Sequence, residues 1–336
     1  MGLLPLFIQP FRTLKLPPSE SFASQTVLIT GANSGLGLET ARHIVILGAS
    51  KVILGVRTLA KGEAAKFDIE TTTGRTGVVE VWQVDLERFD SVEAFVARAA
   101  LLGRLDVAIM NAGLASLQWN LSPEGFERQL QVNCLSTALM MLLLLPVLVR
   151  TRLEHPDATP HLVVVGTDMH AKAKFEERKC DEVFEALNDE QRWEKSQAIP
   201  TERYAVSKLL THYMAYELVR LTPSINGEPA IIVNIVGPGF CKSELMTHEP
   251  GRLYLLEAMQ FLTARTTEEG SKTIVDSATR GIDSHGKYIE HQKFATVGKL
   301  VSSDEGLRLR NKIWHEVLEI LVSAVPAVER VVYGDF

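Results

Sequence analysis

Tyr204 and Lys208 stand four residues apart in Tyr204-Ala205-Val206-Ser207-Lys208, at the start of a stretch with helical periodicity. Residues at i and i+4 share one face of a helix. A lysine ammonium beside a phenol favours the phenolate and lowers a pKa that starts near ~10. Such a tyrosine gives a proton to a carbonyl, or takes one from an alcohol, near neutral pH. By itself the spacing is a common coincidence, and its weight depends on what else reaches the same place. A strand-like run ends Val165-Gly166-Thr167 and puts a hydroxyl at the rim of a sheet. Asn133, inside a long helical pattern, carries an amide able to accept from or hold a water.

A second group of residues suits a nucleotide. Thr30-Gly31-Ala32-Asn33-Ser34-Gly35-Leu36-Gly37 follows the apolar run Thr26-Val27-Leu28-Ile29 and opens a helical pattern. In a strand, glycine-rich turn and helix, a pyrophosphate sits on free amides at the helix N-terminus. The spacing is G-x-x-x-G-x-G rather than G-x-G-x-x-G, and tight turns also need glycine for steric reasons alone. The next strand ends Gly55-Val56-Arg57, with Lys61 one helical turn on. An NAD site wants a carboxylate at that position for the ribose 2′-hydroxyl. Arg57 and Lys61 instead suit a 2′-phosphate, which favours NADP(H), although both would also serve as solvated loop cations. The third strand ends Val84-Asp85-Leu86, a carboxylate for the adenine amino group. The fourth ends Met110-Asn111-Ala112-Gly113, small residues that admit a ribose.

Apolar runs at 27–30, 52–56, 78–84, 105–110, 162–165 and 230–235 alternate with helical patterns at 38–47, 60–72, 91–102, 123–149 and 203–221. A short seventh run lies at 287–290. The runs are rich in Val, Ile and Leu with little polar alternation, as in strands covered on both faces. The pattern predicts an α/β, Rossmann-type doubly wound parallel sheet of about seven strands with helices on both faces. No linker splits it, so residues 25–336 read as a single NADP-binding catalytic domain behind an irregular leader, 1–24. A charged insert at 170–203 and a helical tail at 300–325 look added to that core.

The chain of 336 residues is 46% hydrophobic and 23% charged, with a net charge of -6. That balance gives no electrostatic footprint for nucleic acid. Three widely spaced cysteines, Cys134, Cys180 and Cys241, form neither a disulfide framework nor a metal site. The apolar run 138–149 is too short to span a bilayer and contains Pro146. A cytoplasmic enzyme without a transmembrane segment is expected, with peripheral membrane contact by the leader as the lesser alternative.

These motifs together resemble the short-chain dehydrogenase/reductase superfamily, continuously from about Gln25 to Ser243. Thr30-Gly31-x-x-x-Gly35-Leu36-Gly37 is similar to its cofactor loop. Asp85, Asn111-Ala112-Gly113 and Asn133 resemble its further markers, and Tyr204-x-x-x-Lys208 its active-site pair. Pro238-Gly239-Phe240-Cys241-Lys242-Ser243 resembles its segment at the nicotinamide. The loop, Arg57 and the tail look most like retinol-dehydrogenase-type NADP enzymes and fungal natural-product reductases. The resemblance implies that Tyr204 is the general acid/base and that Lys208 lowers its pKa and bonds the ribose. Asn133 would hold a relay water, and Thr167 would stand where the family has serine. It departs at Gly166-Thr167, where the family commonly reads Ser-Ser, and a threonine narrows the choice of substrate geometry.

The expected cofactor site comprises Gly31, Asn33, Ser34, Gly35, Leu36, Gly37, Arg57 and Lys61, then Asp85, Leu86, Asn111, Ala112 and Gly113. Tyr204, Lys208, Pro238, Gly239, Cys241 and Ser243 complete it. The expected activity is NADP(H)-dependent hydride transfer on a carbonyl or secondary alcohol of a lipophilic, secondary-metabolite-like substrate. A non-redox isomerase, cyclase or dehydratase and a silent NADPH-binding sensor are the alternatives. Trp193, Phe175 and Phe184 are expected to line a lid, with 240–261 as the opposite wall. A homodimer through the helices containing Met140 and Tyr213 is the oligomer implied, with leader and tail able to cover that surface.

Overall fold

The computed structural model describes residues 13–198, 201–242 and 263–334. Six parallel strands follow the expected order of apolar runs: β1 (Thr26–Thr30), β2 (Lys51–Val56), β3 (Val79–Gln83), β4 (Val107–Met110), β5 (His161–Val165) and β6 (Ile232–Gly237). β7 (Tyr288–Glu290) adds in parallel to β6, and β8 (Lys293–Phe294) adds antiparallel to β7. The sheet is eight-stranded, in the order β8-β7-β6-β5-β4-β1-β2-β3. The expectation of about seven strands is therefore one short. β8 is two residues long, too brief to leave a periodic signal.

Alternate residues of the strands face two separate cores. Val27, Ile29, Val52, Leu54, Val107 and Ile109 pack under α1 (Gly35–Ile46), α2 (Leu59–Thr73) and, further along the chain, the helix Thr267–Ser277. Leu28, Ile53, Ala108 and Leu162 face α3 (Phe89–Ala99) and α4 (Thr137–Glu154) on the other side. Both faces are dry, as the sequence of the strands requires. The order reverses between β1 and β4, so the crevice at the carboxyl ends of these strands is the place for a ligand.

The long helical pattern expected over 123–149 begins later and is interrupted. A turn at Arg128–Leu130 leads into a π-helical segment, Gln131–Ser136, and only then into α4. Arg128–Glu154 is long and apolar enough to cross a membrane, yet it is buried within the protein and serves as a core helix.

The insert contains α5 (Val183–Leu187) and α6 (Glu190–Ser196), and it leads to α7 (Glu202–Leu221), whose first turn carries Tyr204. The helix Thr267–Ser277 is α8; α9 (Asp304–Ala324) and α10 (Ala327–Tyr333) form the tail. Ile313, Val317 and Leu321 of α9 are fully buried, with Trp314 beside them, in the same core as Met140 and Tyr213. Arg310 reaches the buried carboxylate of Glu217 on α7 at 2.8 Å, and the Tyr213 hydroxyl donates to Leu300 O at 2.6 Å. The face offered for dimerisation is thus covered by the chain's own tail.

Insert and tail form one packed unit. Both oxygens of Glu316 accept the amides that open α5, from Val183 at 3.2 Å and Phe184 at 2.7 Å. Lys312 donates to Cys180 O, and Arg178 pairs with Glu305 at 3.2 Å. Phe175, Phe184 and Trp193 are buried rather than facing an opening. These aromatic side chains anchor the insert; they do not line a lid. Part of the leader is docked as well: Phe22 is in the core, and its amide donates to Leu47 O at 3.0 Å. The expected wall residues Leu245, Leu253, Leu256 and Met259 lie outside the described residues.

Candidate active site

At the first strand end the glycines keep space open for a ligand and for the neighbouring strand. A Cβ on Gly31 would meet Ala112 Cα at 2.9 Å, and one on Gly37 would meet Gly31 O at 2.4 Å and Asn111 Nδ2 at 2.5 Å. Gly35, at φ +59, has open space where a side chain would point. Ser34 caps α1 without a side-chain hydrogen bond, and no acidic residue stands in its first turn. The N-terminal amides and the positive helix end therefore await an anion, and this cradle fits a pyrophosphate. Asn111 Nδ2 donates to Thr30 O and Gly31 O at 2.9 and 3.2 Å, and the Thr30 hydroxyl accepts from the amides of Asn111 and Ala112. That network ties the end of β4 to the loop.

The adenosine side is polar and cationic. Arg57 pairs with Glu87 at 3.0 Å, and Glu87 also takes Arg128 at 2.7 Å. Arg57 and Arg128 thus share the Glu87 carboxylate, which gathers two guanidiniums at this corner. Lys61 is exposed nearby on α2, which has no acid in its first turn. Asp85 is held in a turn that accepts the Glu87 amide at 3.0 Å, with Leu86 buried beside it. On the far side, Gly270 of α8 packs so tightly on Cys241 that a Cβ there would lie 2.3 Å from Sγ. Burial pushes the Cys241 thiol up to about 12, so it is an inert packing group. Pro238 O accepts from Arg265 at 3.2 Å, and Gly239 takes φ +81. Ser243 lies outside the described residues.

β5, the π-helical segment before α4, and α7 carry the four expected catalytic residues to the carboxyl side of the sheet. Lys208 Nζ donates to Val165 O at 3.1 Å, next to the strand end that bears Thr167. A Cβ on Gly113 would stand 3.1 Å from Asn133 Oδ1 and 3.2 Å from Lys208 Nζ, so glycine there leaves both side chains undisplaced. Asn133 sits in the π segment, where the wider turn aims its amide away from the helix. Its Nδ2 donates to Leu114 O at 2.8 Å and to Ser207 Oγ at 2.9 Å, and Oδ1 accepts the Leu114 amide at 2.9 Å. Its carbonyl accepts the Thr211 hydroxyl at 2.8 Å. The side chain is a clamp between the β4 loop and α7, and a water would have only the remaining lone pairs of its oxygens.

Electrostatics around Tyr204 run against the sequence-based expectation. Burial, reinforced by the negative charge of Asp168, pushes the phenol above its ordinary value. Burial also pushes the Lys208 ammonium down, to about 8. Lys208 Nζ lies 6.0 Å from the Tyr204 ring centroid, and its pull does not offset the loss of solvent. Tyr204 is therefore a protonated acid at neutral pH. Thr167 Oγ1 donates to Asp168 Oδ1 at 3.2 Å while accepting the Met169 amide at 3.3 Å.

Comparison with known proteins agrees with this geometry. A family model described as short chain dehydrogenase matches residues 25–153. The chain is 45% identical over 281 residues to the short chain dehydrogenase atnD of Emericella nidulans, covering 82% of this chain and 87% of that one. It is a short-chain dehydrogenase/reductase. Among solved structures, an uncharacterized protein of Mycobacterium paratuberculosis superposes with a TM-score of 0.64 at 26% identity, over 91% of this chain and 95% of that one. A short chain dehydrogenase of Escherichia coli CFT073 complexed with NADPH superposes at 0.57 with 21% identity, over 82% and 100%. The latter likeness is one of fold.

Within this dehydrogenase, Asp168, Ser207 and Arg265 escaped the reading of the sequence. Asp168 follows Thr167 directly, and a charged residue abutting a candidate hydroxyl was the available signal. Ser207 lies inside Tyr-x-x-x-Lys, where the spacing directs attention to the ends. Arg265 is joined to the Pro238 segment only by folding, with no local signal.

Proposed function

We propose that the enzyme reduces the carbonyl of a lipophilic, natural-product-like substrate with NADPH, in the cytoplasm. The observation that carries this reading is Tyr204 held beside Lys208 at the carboxyl rim of the sheet, with Lys208 Nζ 6.0 Å from the phenol ring and bonded to Val165 O at 3.1 Å. A protonated phenol starts as the acid, and a neighbouring ammonium stabilises the phenolate it leaves, which suits proton donation to a carbonyl oxygen. The residues present fit the dinucleotide, because the α1 N-terminus is uncapped and glycines line its approach. The preference for NADPH is supported by Arg57 and Lys61 at the end of β2, where an NAD site would want a carboxylate.

The bound nicotinamide supplies the hydride. Tyr204 gives its proton to the nascent alkoxide, and Lys208 offsets the charge left on the phenolate. The Thr167 hydroxyl, free to rotate away from Asp168, donates to the same oxygen. Asn133 and Ser207 hold the β4 loop against the tyrosine-bearing turn of α7. The intact Tyr204, Lys208 and Asn133 set favours this reading over a silent sensor, which needs no proton machinery.

A panel of carbonyl compounds mixed anaerobically with NADPH and NADH in parallel tests the reading. Consumption of NADPH matched one to one by alcohol product is the expected result. Product formed without loss of reduced cofactor would move the enzyme to a non-redox reaction.

A further inference from the structure

Behind the catalytic rim lies a buried aromatic cluster that the chemistry above does not use. The rings of His170 and His212 stack at 4.0 Å between centroids and 29° between planes. Tyr288 of β7 meets both edge-on, at 5.3 and 5.4 Å. All three side chains are almost wholly buried.

Their partners fix the tautomers. His170 Nδ1 lies 2.6 Å from Thr167 O, which can only accept, so Nδ1 carries the proton. His170 Nε2 accepts the Gly298 amide at 3.0 Å and so carries none. His212 Nδ1 donates to Lys208 O at 2.9 Å. One imidazole thus grips the backbone of the residue with the substrate-facing hydroxyl, and the other grips the backbone of the catalytic lysine. The stack joins them and fastens both to the C-terminal segment at Gly298.

The same cluster accounts for the departure at Gly166-Thr167. A Cβ on Gly166 would stand 2.6 Å from His212 Cε1 and 3.0 Å from Ile235 Cγ2. The imidazole of His212 occupies the volume that a side chain at 166 needs. Gly298 is constrained likewise, since a Cβ there would meet Ala171 Cα at 2.7 Å. Burial lowers the proton affinity of both imidazoles; the hydrogen bond to Thr167 O and the charge of Asp168 oppose this at His170, and the neighbouring His170 adds to it at His212.

We propose that the paired His170 and His212, through their Nδ1 hydrogen bonds to Thr167 O and Lys208 O, position the Thr167 end of β5 against the Lys208 turn of α7, and that the pair requires glycine at 166. The proposal rests on the catalytic roles given above to Thr167 and Lys208. His170 and His212 touch neither reacting atom; they act through the backbone of the two residues that do.

Nitrogen NMR of histidine-labelled enzyme tests it without reference to turnover. Both imidazoles should be neutral and Nδ1-protonated, and should stay so down to about pH 5.5. A proton on Nε2 of His170, or ordinary titration of either ring, would overturn the arrangement. In kinetics, His212→Phe keeps the stack and removes the donor. It should lower kcat by about tenfold with NADPH affinity unchanged, and His212→Asn should restore most of the rate. Equal losses in the two variants, or no loss in His212→Phe, would contradict a positioning role. Gly166→Ser should impair wild-type enzyme and be tolerated together with His212→Ala, whereas equal damage in both backgrounds would refute the steric coupling. If Tyr204→Phe turned over normally, the catalytic reading would fall while the NMR result would still stand.

Discussion

The two halves of the rim are built differently. On the cofactor side, short-range motifs do the work: a glycine loop, an uncapped helix end and a strand end that differ little in purpose from one dinucleotide site to another. On the other side, the insert and the tail meet across more than a hundred residues of sequence, through Glu316 on the α5 amides and Lys312 on Cys180 O. The contrast shows where each kind of information is stored. The strand-end glycine loop is written locally, whereas the union of insert and tail depends on contacts made only after folding.

The sharpest way to break this contrast is to damage the local half. Gly37→Ala places a Cβ against Gly31 O, which yields only if backbone moves, and against Asn111 Nδ2, whose shift would break its bonds to Thr30 O and Gly31 O. NADPH affinity, read by fluorescence titration, should fall by about a hundredfold. Gly103→Ala, where a Cβ meets nothing, should leave it unchanged.

Damage to the distant half should instead appear in stability and assembly. Trp314→Ala should cost about 3–5 kcal/mol of folding free energy, measured by denaturant titration. The native enzyme should sediment as a monomer, because its tail covers the face containing Met140 and Tyr213. The variant should self-associate as that face is uncovered. A third change tests the cationic corner: Arg57→Ala should weaken NADPH about tenfold and leave NADH nearly unaffected, as judged by parallel titrations.

The smallest effect concerns pH. His161, His170 and His212 are buried, and each has its proton affinity lowered from an ordinary 6.5. The unfolded chain then binds more protons than the folded one as pH falls. Their contribution to stability should be complete above about pH 6.5 and decline below it, visible as a falling Tm.

The sheet was legible because most of its strands are apolar runs, and Arg57, Asp85 and Asn111 stand near strand ends, where the expected cofactor contacts would be made. The catalytic pair was legible because helix geometry converts a spacing of four into a shared face. Periodicity shows that a residue is apolar but not what will cover it, so Phe175, Phe184 and Trp193 were read as lid rather than anchor. The proton affinity of Tyr204 was misjudged for a related reason. The spacing revealed the lysine, while the burial and the neighbouring Asp168 charge that outweigh it emerge only from packing. Gly166 was visible as a departure, yet its cause, His212, lies 46 residues away on another element.

The central claim is that Tyr204 donates the proton in an NADPH-dependent reduction. Single-turnover mixing of NADPH-loaded Tyr204→Phe enzyme with a carbonyl substrate found in the panel tests it most directly. The account predicts wild-type NADPH affinity with the rate of nicotinamide oxidation lowered by about 10²–10⁴-fold. A variant that binds NADPH normally and oxidises it at close to the wild-type rate would contradict it.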